Sequence, residues 1–327
     1  MSARFLSTNF AERGLALYPL TPMLERAIRP LRQPHPEPLP SVRPGPLKAR
    51  GRPRPDVREI QPGVARPFIK WVGGKRQLLS ELEPRVPSRF NTYHEPFVGG
   101  GALFFHLLPQ NAVLSDTNER LVRTYRGIRD AVEDVVGLLS SYPHDRDFFL
   151  QMRTVDIDAK SDVEVAAWFI YLNRTGFNGL YRVNRNNVYN VPFGDYENPT
   201  ICDSDNLRAC SRALRHTDIR HASFESVLDR ARPGDFVYFD PPYVPLSASS
   251  SFTSYTSGGF GMAEQERLRD VARELKARGV RVLLSNSSAP DVYRLYEDGF
   301  ELSEVGATRA INCKGSGRGR IQELIIR

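Results

Sequence analysis

The sequence predicts an α/β protein whose sheet is interrupted by an inserted region. Short apolar runs typical of buried strands alternate with segments of helical periodicity on both sides of residues 142–222. That middle range has a mixed pattern and contains a stretch, 173–196, rich in Asn, Gly, Arg and Tyr. A length of 327 residues allows two domains, or one large domain with an insert.

The amino-terminal segment differs from the rest in composition. Residues 1–66 hold 12 of the 25 prolines, and 12 Lys and Arg against 5 Asp and Glu, an excess equal to the whole net charge of +7. Because proline removes backbone donors and disfavours helix, we expect a disordered Pro/Arg-rich extension rather than a specific binding arm. The remaining chain has 33 basic and 33 acidic residues, so any nucleic-acid binding there requires a local basic surface.

Composition also excludes several classes of protein. The longest apolar run, 165–172, is far shorter than the ~20 residues that a membrane span needs, so we expect no membrane association. The three cysteines, Cys202, Cys210 and Cys313, lack metal-ligand spacing. We interpret them as reduced thiols of a cytoplasmic protein and expect no metal site.

The elements before the insert follow from hydrophobic periodicity. The folded body is expected to begin at Pro67, and a helical pattern covers 77–83. The apolar run 111–116 predicts a short buried strand that ends in an acid. Apolar residues then recur at spacings of three and four, which predicts one amphipathic helix over 118–141.

The elements after the insert continue the alternation of strand and helix. A periodic segment predicts a helix over 263–278 that Gly279 ends. The predicted strands are 236–239, 280–284, 300–305 and 321–326. The last two flank the loop 314–320, and we expect them to form an antiparallel hairpin at the edge of the sheet.

A glycine-rich turn and an acid suggest a cofactor site. The segment 95–101 reads Glu-Pro-Phe-Val-Gly-Gly-Gly between a predicted strand and a predicted helix, where glycines let a cofactor approach the backbone. Alone it is explained equally well by a structural turn. Asp116 ends the next strand, where an acid is placed to bind ribose hydroxyls, so the pair favours an adenosine-containing cofactor. The segment 73–76 is not a phosphate loop, since it lacks the upstream glycine and a Ser or Thr after Lys75.

The segment Asp240-Pro241-Pro242-Tyr243 follows an apolar strand and suits chemistry on an amine. An amine conjugated to a base is a poor nucleophile because its lone pair is delocalised. A carboxylate and a proline-fixed backbone carbonyl can accept its hydrogens and draw the nitrogen toward tetrahedral geometry, while the ring of Tyr243 stacks on the base. A strand end with a Pro-Pro turn and a packed tyrosine is the structural alternative.

The stretch 173–196 has the composition of a nucleic-acid contact. Three arginines, at 174, 182 and 185, stand against one acid and are interleaved with Phe177, Tyr181 and Tyr189. Arginine binds phosphates or reads guanine, and aromatic rings fill the gap left by a base. The residues by themselves fit a solvated polar loop equally well.

Together these segments resemble the Dam family of class D12 DNA adenine N6-methyltransferases, over about residues 66–327. The matching segments are 68–75, 95–101, 178–184, 190–194, 240–243 and 245–248. The resemblance implies a class I methyltransferase fold, a Rossmann-like seven-stranded sheet with an inserted, mainly helical target-recognition domain. The implied catalytic domain comprises 67–141 and 223–327, and the implied target-recognition domain comprises 142–222.

The resemblance also implies a cofactor, S-adenosylmethionine, and a set of site residues. The catalytic residues would be Asp240, Pro241, Pro242 and Tyr243. The cofactor-binding residues would be Trp71, Lys75, Glu95, Phe97, Gly99, Gly101, Asp116, Phe224 and Asp240.

The implied partner is double-stranded DNA, bound by a monomer that associates with the nucleoid. The implied DNA-binding residues are Lys70, Phe177, Asn178, Leu180, Arg182, Asn184, Pro192, Tyr196 and Arg318. By resemblance, Phe177 inserts into the duplex as adenine leaves, and the expected site is GATC.

Three other functions compete with this interpretation. A non-enzymatic DNA-binding protein would leave Asp240 and Tyr243 without a role. A nicotinamide dehydrogenase would leave residues 240–243 and 173–196 unexplained. A methyltransferase acting on RNA or on a protein amide is the stronger alternative, because the same amine chemistry serves those substrates.

Overall fold

A seven-stranded sheet with the strand order β3-β2-β1-β4-β5-β7-β6 forms the centre of the protein. The computed structural model describes residues 65–73, 75–243, 260–308 and 320–327. The strands are β1 (Tyr93–Glu95), β2 (Ala112–Asp116), β3 (Thr217–His221), β4 (Phe236–Phe239), β5 (Arg281–Ser287), β6 (Leu302–Thr308) and β7 (Arg320–Ile326). This architecture confirms the predicted class I methyltransferase sheet.

Nine α-helices accompany the sheet in the described part of the chain. They are α1 (Leu79–Leu82), α2 (Ala102–Leu107), α3 (Glu119–Asp130), α4 (Val132–Ser141), α5 (Arg146–Met152), α6 (Asp162–Thr175), α7 (Ser204–Leu214), α8 (Met262–Ala277) and α9 (Pro290–Tyr296). Short 3₁₀ turns lie at Lys75–Gln77, Glu83–Arg85, Phe177–Gly179 and Phe224–Asp229. Within these residues no helix is long and apolar enough to span a bilayer.

Strand directions divide the sheet into two parts. Strands β1 to β5 pair in parallel, whereas β7 lies antiparallel between β5 and β6. The predicted antiparallel hairpin is therefore confirmed, with β6 as the edge strand. All four residues of β4 are buried, as expected of a central parallel strand covered on both faces.

Strand β3 lies inside the range 142–222, where the sequence suggested only the insert. It pairs with β2 along its whole length, so the sheet extends into that range. Its signal is weak because only Thr217 and Ile219 are buried, while charged residues alternate with them. The boundaries of the target-recognition domain stay a prediction.

The predicted single helix over 118–141 is wrong, because the backbone breaks at Ala131. This residue has φ −148° and ψ 50°, and it separates α3 from α4. Both helices pack against the same buried helix, α6, so the apolar stripe continues across the break. Hydrophobic periodicity shows which face of a helix is buried. It does not detect a bend that leaves the same face buried on both sides.

Other predicted elements differ only in detail. The helical pattern over 77–83 is a short α1 between two 3₁₀ turns, and Pro84 cannot donate to a continuing helix. The predicted helix over 263–278 is confirmed as α8, and Gly279 follows it with φ +77°. The predicted extension up to residue 64, the segment 245–248, Cys313 and Arg318 lie outside the described residues.

Helix α6 joins the inserted region to the layer beside the sheet. Ser161 and Glu164 form a capping box at its start. The helix is buried nearly all round, which explains its continuous apolar run. It ends at Thr175, so its last three residues begin the stretch 173–196, which we call the recognition loop after its predicted role.

The close contact of α3 with α6 is testable at one glycine. A Cβ on Gly127 would lie 2.6 Å from the carbonyl oxygen of Asp162 and 2.9 Å from Cβ of Ala166. We expect Gly127→Ala to lower the free energy of unfolding by about 1–3 kcal/mol in urea denaturation, because the helices must separate.

The matched control is Gly137→Ala in α4, where an added Cβ meets nothing within 4 Å. It should raise the free energy of unfolding by about 0.5–1 kcal/mol through helix propensity alone. Similar effects of the two substitutions would contradict this account of the α3–α6 contact.

Candidate active site

The predicted site residues meet at the carboxyl ends of the parallel strands. Glu95 ends β1, Asp116 ends β2, Asp240 follows β4, and Ser285 lies near the end of β5. Since parallel strands point the same way, these ends share one edge of the sheet, where open α/β sheets bind ligands. The sequence placed three of these four residues, and Ser285 was missed.

Asp240 is held by a cation and a hydroxyl. Nζ of Lys75 lies 2.7 Å from Oδ1 of Asp240, and Oγ of Ser285 donates to the same oxygen over 3.0 Å. Tyr238 in turn donates its hydroxyl to Ser285 over 3.0 Å. Burial raises the pKa of Asp240, and the neighbouring Lys75 and Ser285 oppose that rise. The carboxyl side chain remains 19% exposed, so a ligand can reach it.

Tyr243 presents its ring to the same ammonium group. Nζ of Lys75 lies 4.4 Å from the centre of the Tyr243 ring, within the range of a cation–π contact. The Tyr243 hydroxyl donates to Oε2 of Glu323 on β7 over 2.5 Å. Lys75 also donates to the carbonyl of Gly73 over 2.8 Å. A nitrogen at the position of Nζ therefore has both a carboxylate and an aromatic face beside it.

A buried amide pair anchors the Pro-Pro turn. Nε2 of Gln265 donates to the carbonyl of Pro242 over 3.1 Å, and Nδ2 of Asn286 donates to Oε1 of Gln265 over 2.9 Å. Both amide side chains are fully buried. Because each buried polar group has a partner, the peptide between Pro242 and Tyr243 is held in one orientation. Sequence reasoning missed Gln265 and Asn286; the available signal was polar residues interrupting apolar patterns in α8 and β5.

The glycine turn and Asp116 are joined by hydrogen bonds. The Gly99 N–H donates to Oδ2 of Asp116 over 3.1 Å, and the Asn118 N–H donates to Oδ1 over 2.9 Å. Burial raises the pKa of Asp116, while these backbone donors oppose the rise. Gly99 and Gly101 both have positive φ, 45° and 65°, which disfavours any residue with a Cβ. The structural and cofactor interpretations of this motif are thus compatible.

Glu95 is the most deeply buried acid of the site. Burial is the main reason that its pKa rises from 4.5 to about 8, and the Tyr93 hydroxyl, which donates to it over 2.8 Å, lowers it only in part. The raised pKa favours the protonated form of this carboxyl at neutral pH. The rings of Phe97, two residues further along the chain, and Phe224 stack with centres 5.4 Å apart.

Residues 65–73 are tied to the recognition loop by one buried amide. Oδ1 of Asn173 accepts the Lys70 N–H over 2.8 Å, and Nδ2 donates to the carbonyls of Lys70 and Gly179 over 2.8 and 2.7 Å. The side chain of Lys70 packs on the loop, since a Cβ on Gly179 would lie 2.4 Å from its Cδ. Nζ of Lys70 lies 4.8 Å from the centre of the Tyr196 ring.

Most of the predicted DNA-binding residues are accessible on this surface. Phe177 is 44% exposed although it is a large apolar side chain. Exposed residues are Lys70, Phe177, Arg182, Asn184 and Pro192, and half-buried ones are Asn178, Leu180 and Tyr196. Arg182 donates to the side-chain and backbone oxygens of Asn190 over 2.7 and 3.2 Å.

Arg174 differs from the other arginines of the recognition loop. It is largely buried and donates to the carbonyl of Phe68 over 2.7 Å, so it supports the fold rather than offering a charge to phosphate. In the described part of the chain, no group of three or more His, Cys, Asp or Glu side chains is arranged to hold a metal ion.

The chain belongs to the D12 class of N6 adenine-specific DNA methyltransferases, whose family model matches residues 71–311. This confirms the resemblance found in the sequence.

Individual relatives extend this family assignment. The chain is 46% identical over 269 residues to the type II methyltransferase M1.LlaDCHI of Lactococcus lactis subsp. cremoris, covering 80% of this chain and 94% of that protein. It is 40% identical over 283 residues to the type II methyltransferase M.MjaIII of Methanocaldococcus jannaschii, covering 80% and 98%. It is 34% identical over 265 residues to a DNA adenine methylase of Vibrio cholerae serotype O1, covering 80% and 95%.

The raised pKa of Glu95 predicts a pH dependence of stability. Between about pH 4.5 and 8 the unfolded chain releases this proton while the folded chain keeps it, so folding becomes less favourable as pH rises. Relative to Glu95→Gln, the wild-type free energy of unfolding should fall with a slope of up to about 1.4 kcal/mol per pH unit, levelling above pH 8.

The measurement is urea unfolding of both proteins across this pH range without added ligand. A difference that stays constant with pH would show that Glu95 is ionised in the folded protein.

Proposed function

We propose that this chain transfers a methyl group from S-adenosylmethionine to N6 of an adenine swung out of double-stranded DNA, within GATC sites. One observation carries the proposal. The ammonium of Lys75 lies between the Asp240 carboxylate, at 2.7 Å, and the face of the Tyr243 ring, at 4.4 Å from its centre. An exocyclic amine of a stacked base needs the same two neighbours. Adenine entering this position would take over the contacts that Lys75 makes in the free protein.

The surroundings fit the proposed cofactor. A positively charged sulfonium suits an edge that carries Asp116 and Asp240, and the stacked rings of Phe97 and Phe224 suit an adenine ring. In this assignment Asp116 binds the ribose hydroxyls, and Trp71, Lys75 and the glycines of the turn complete the pocket. When bound, S-adenosylmethionine supplies an electrophilic methyl group.

The remaining chemistry is carried by the protein. Asp240 accepts a hydrogen bond from one N–H of the target amine, and the carbonyl of Pro241 accepts a hydrogen bond from the other N–H. These two acceptors draw the nitrogen toward tetrahedral geometry and localise its lone pair. Ser285 keeps the carboxylate oriented, while the Gln265–Asn286 pair keeps Tyr243 in place.

The recognition loop supports the assignment to duplex DNA. Adenine in a duplex is stacked and paired, so extruding it costs a few kcal/mol. The exposed ring of Phe177 can fill the gap, and Lys70, Leu180, Arg182 and Pro192 can contact neighbouring bases. Asn178, Asn184, Tyr196 and Arg318 would complete the DNA contacts. A DNA substrate agrees with the cytoplasmic, nucleoid-associated location expected from the sequence.

Asp240→Asn tests the chemical step. The substitution keeps the size and one oxygen acceptor but removes the charge. We expect the single-turnover rate of methyl transfer at saturating cofactor to fall at least about a hundredfold, as with loss of a preorganised electrostatic contact.

The assay measures labelled methyl transferred from S-adenosylmethionine to an unmethylated GATC duplex. A fully methylated duplex, an RNA duplex and a protein amide are the controls. Near-normal transfer by the variant would exclude this role of Asp240, and transfer to RNA or amide alone would exclude DNA as the substrate.

Arg182 tests the specificity assigned to the loop. If it reads a base, Arg182→Ala should weaken binding to the GATC duplex by about 1–3 kcal/mol and relax discrimination at one position. Exposed Arg185 in the same loop is the matched control, and Arg185→Ala should weaken binding to all duplexes alike. Equal losses on GATC and random duplexes for Arg182→Ala would assign it to the DNA backbone instead.

A further inference from the structure

Three aromatic rings from separate parts of the chain lie nearly parallel beside the glycine turn. They are Trp71, near the start of the described chain, Phe169 of α6 and Tyr181 of the recognition loop. We call them the aromatic cluster. Phe169 and Tyr181 have ring centres 4.7 Å apart and planes 14° apart. The ring centre of Trp71 lies 6.2 Å from that of Phe169 and 6.1 Å from that of Tyr181, and the plane of its ring is within 25° of both of theirs.

The indole of Trp71 also touches the glycine turn. A Cβ placed on Gly99 would lie 2.6 Å from Cδ1 and 2.7 Å from Nε1 of Trp71. The Gly99 N–H is bonded to Asp116, so the turn, the acid and the indole form one contiguous group. A ligand that moves or orders this group therefore acts on Trp71 as well, and through its ring on Tyr181.

The hydroxyl end of Tyr181 reaches the same neighbourhood by a second route. Burial raises the pKa of Tyr181, and the adjacent Arg120 and Asn118 side chains oppose the rise. Asn118 caps α3 by accepting the Leu121 N–H, and its own N–H donates to Asp116. Tyr181 is thus in contact at both ends with residues that border the proposed cofactor pocket.

We propose that Tyr181 is a positioning residue that couples cofactor binding to the conformation of the recognition loop. Leu180 and Arg182, two of the residues proposed to contact bases, flank it in the chain, so an ordered Tyr181 orders them too. Cofactor and DNA then bind with positive coupling, and by linkage each tightens the other by the same factor. The inference rests on the proposed function, which assigns Trp71 and Asp116 to the cofactor.

The experiment measures the coupling factor in the full-length protein. The dissociation constant of a GATC duplex is determined with and without saturating S-adenosylhomocysteine, an unreactive form of the cofactor. We expect tightening of about 5- to 150-fold in the wild type, the usual range of such couplings. Tyr181→Met fills the space without a planar ring and should reduce the factor to within about twofold of one, although both ligands still bind.

Two further variants serve as controls: one tests whether the ring or the hydroxyl of Tyr181 carries the coupling, and the other tests another side chain of the loop. Tyr181→Phe keeps the ring next to Trp71 and should retain most of the coupling. Val188→Ala changes an exposed side chain of the same loop and should leave the coupling unchanged. A merely structural role would lower DNA affinity equally with and without S-adenosylhomocysteine, and an unchanged factor in Tyr181→Met would overturn the inference.

A double-mutant cycle tests the ring contact from its other side. Trp71→Leu should also abolish the coupling, measured with S-adenosylhomocysteine raised until it saturates this variant, because Trp71 is itself assigned to the cofactor pocket. This variant serves alone if Tyr181→Met does not fold. Combining the two substitutions should cause no further loss, because both remove one contact; additive losses would overturn the proposed route. Wild-type protein that methylates GATC duplexes but shows a coupling factor of one overturns only this inference, whereas no methyl transfer to any DNA overturns the proposed function.

Discussion

The crowding of three carboxyl side chains at one edge of the sheet is the constraint on which the site depends. Strands that run parallel bring Glu95, Asp116 and Asp240 together. Burial raises the pKa of all three acids, and repulsion from Asp240 and Asp116 adds to the raised pKa of Glu95. The fold resolves this conflict by giving each acid a different partner.

Those partners give the three acids different properties. Glu95 has a raised pKa and accepts a hydrogen bond from the Tyr93 hydroxyl. Asp116 accepts the backbone N–H groups of Gly99 and Asn118, and Asp240 is paired with an ammonium and accepts a serine hydroxyl. Only Asp240 has a cation that a substrate amine could replace at the same oxygen. Each of the three acids at this edge therefore has its own hydrogen-bond or ionic partners, which allows them to be buried close to one another.

The buried side chain of Asn173 joins this edge of the sheet to the surface proposed to bind DNA. Asn173 satisfies the peptide of Lys70 and the carbonyl of Gly179 with three hydrogen bonds, in a setting where unpaired groups would be costly. The short stretch of chain that carries Lys70, Trp71 and Lys75 is thereby held against the recognition loop. Trp71 and Lys75, which are proposed to bind the cofactor, and Lys70, which is proposed to bind DNA, lie on this one short stretch of backbone, so the two proposed sites have a common support.

The sequence by itself determined the alternation of strand and helix, the antiparallel hairpin and the motifs around Gly99, Asp116 and Asp240, because local periodicity and short-range chemistry encode them. Only the tertiary structure decided the break at Ala131, the addition of β3 to the sheet, and the partners of the acids. Ser285, Gln265, Asn286 and Glu323 act on residues 240–243 from distant positions in the chain, as Asn173 acts on Lys70. Such contacts depend on how strands and helices stack in space, and a pattern read along one segment carries no information about which distant side chain will face it.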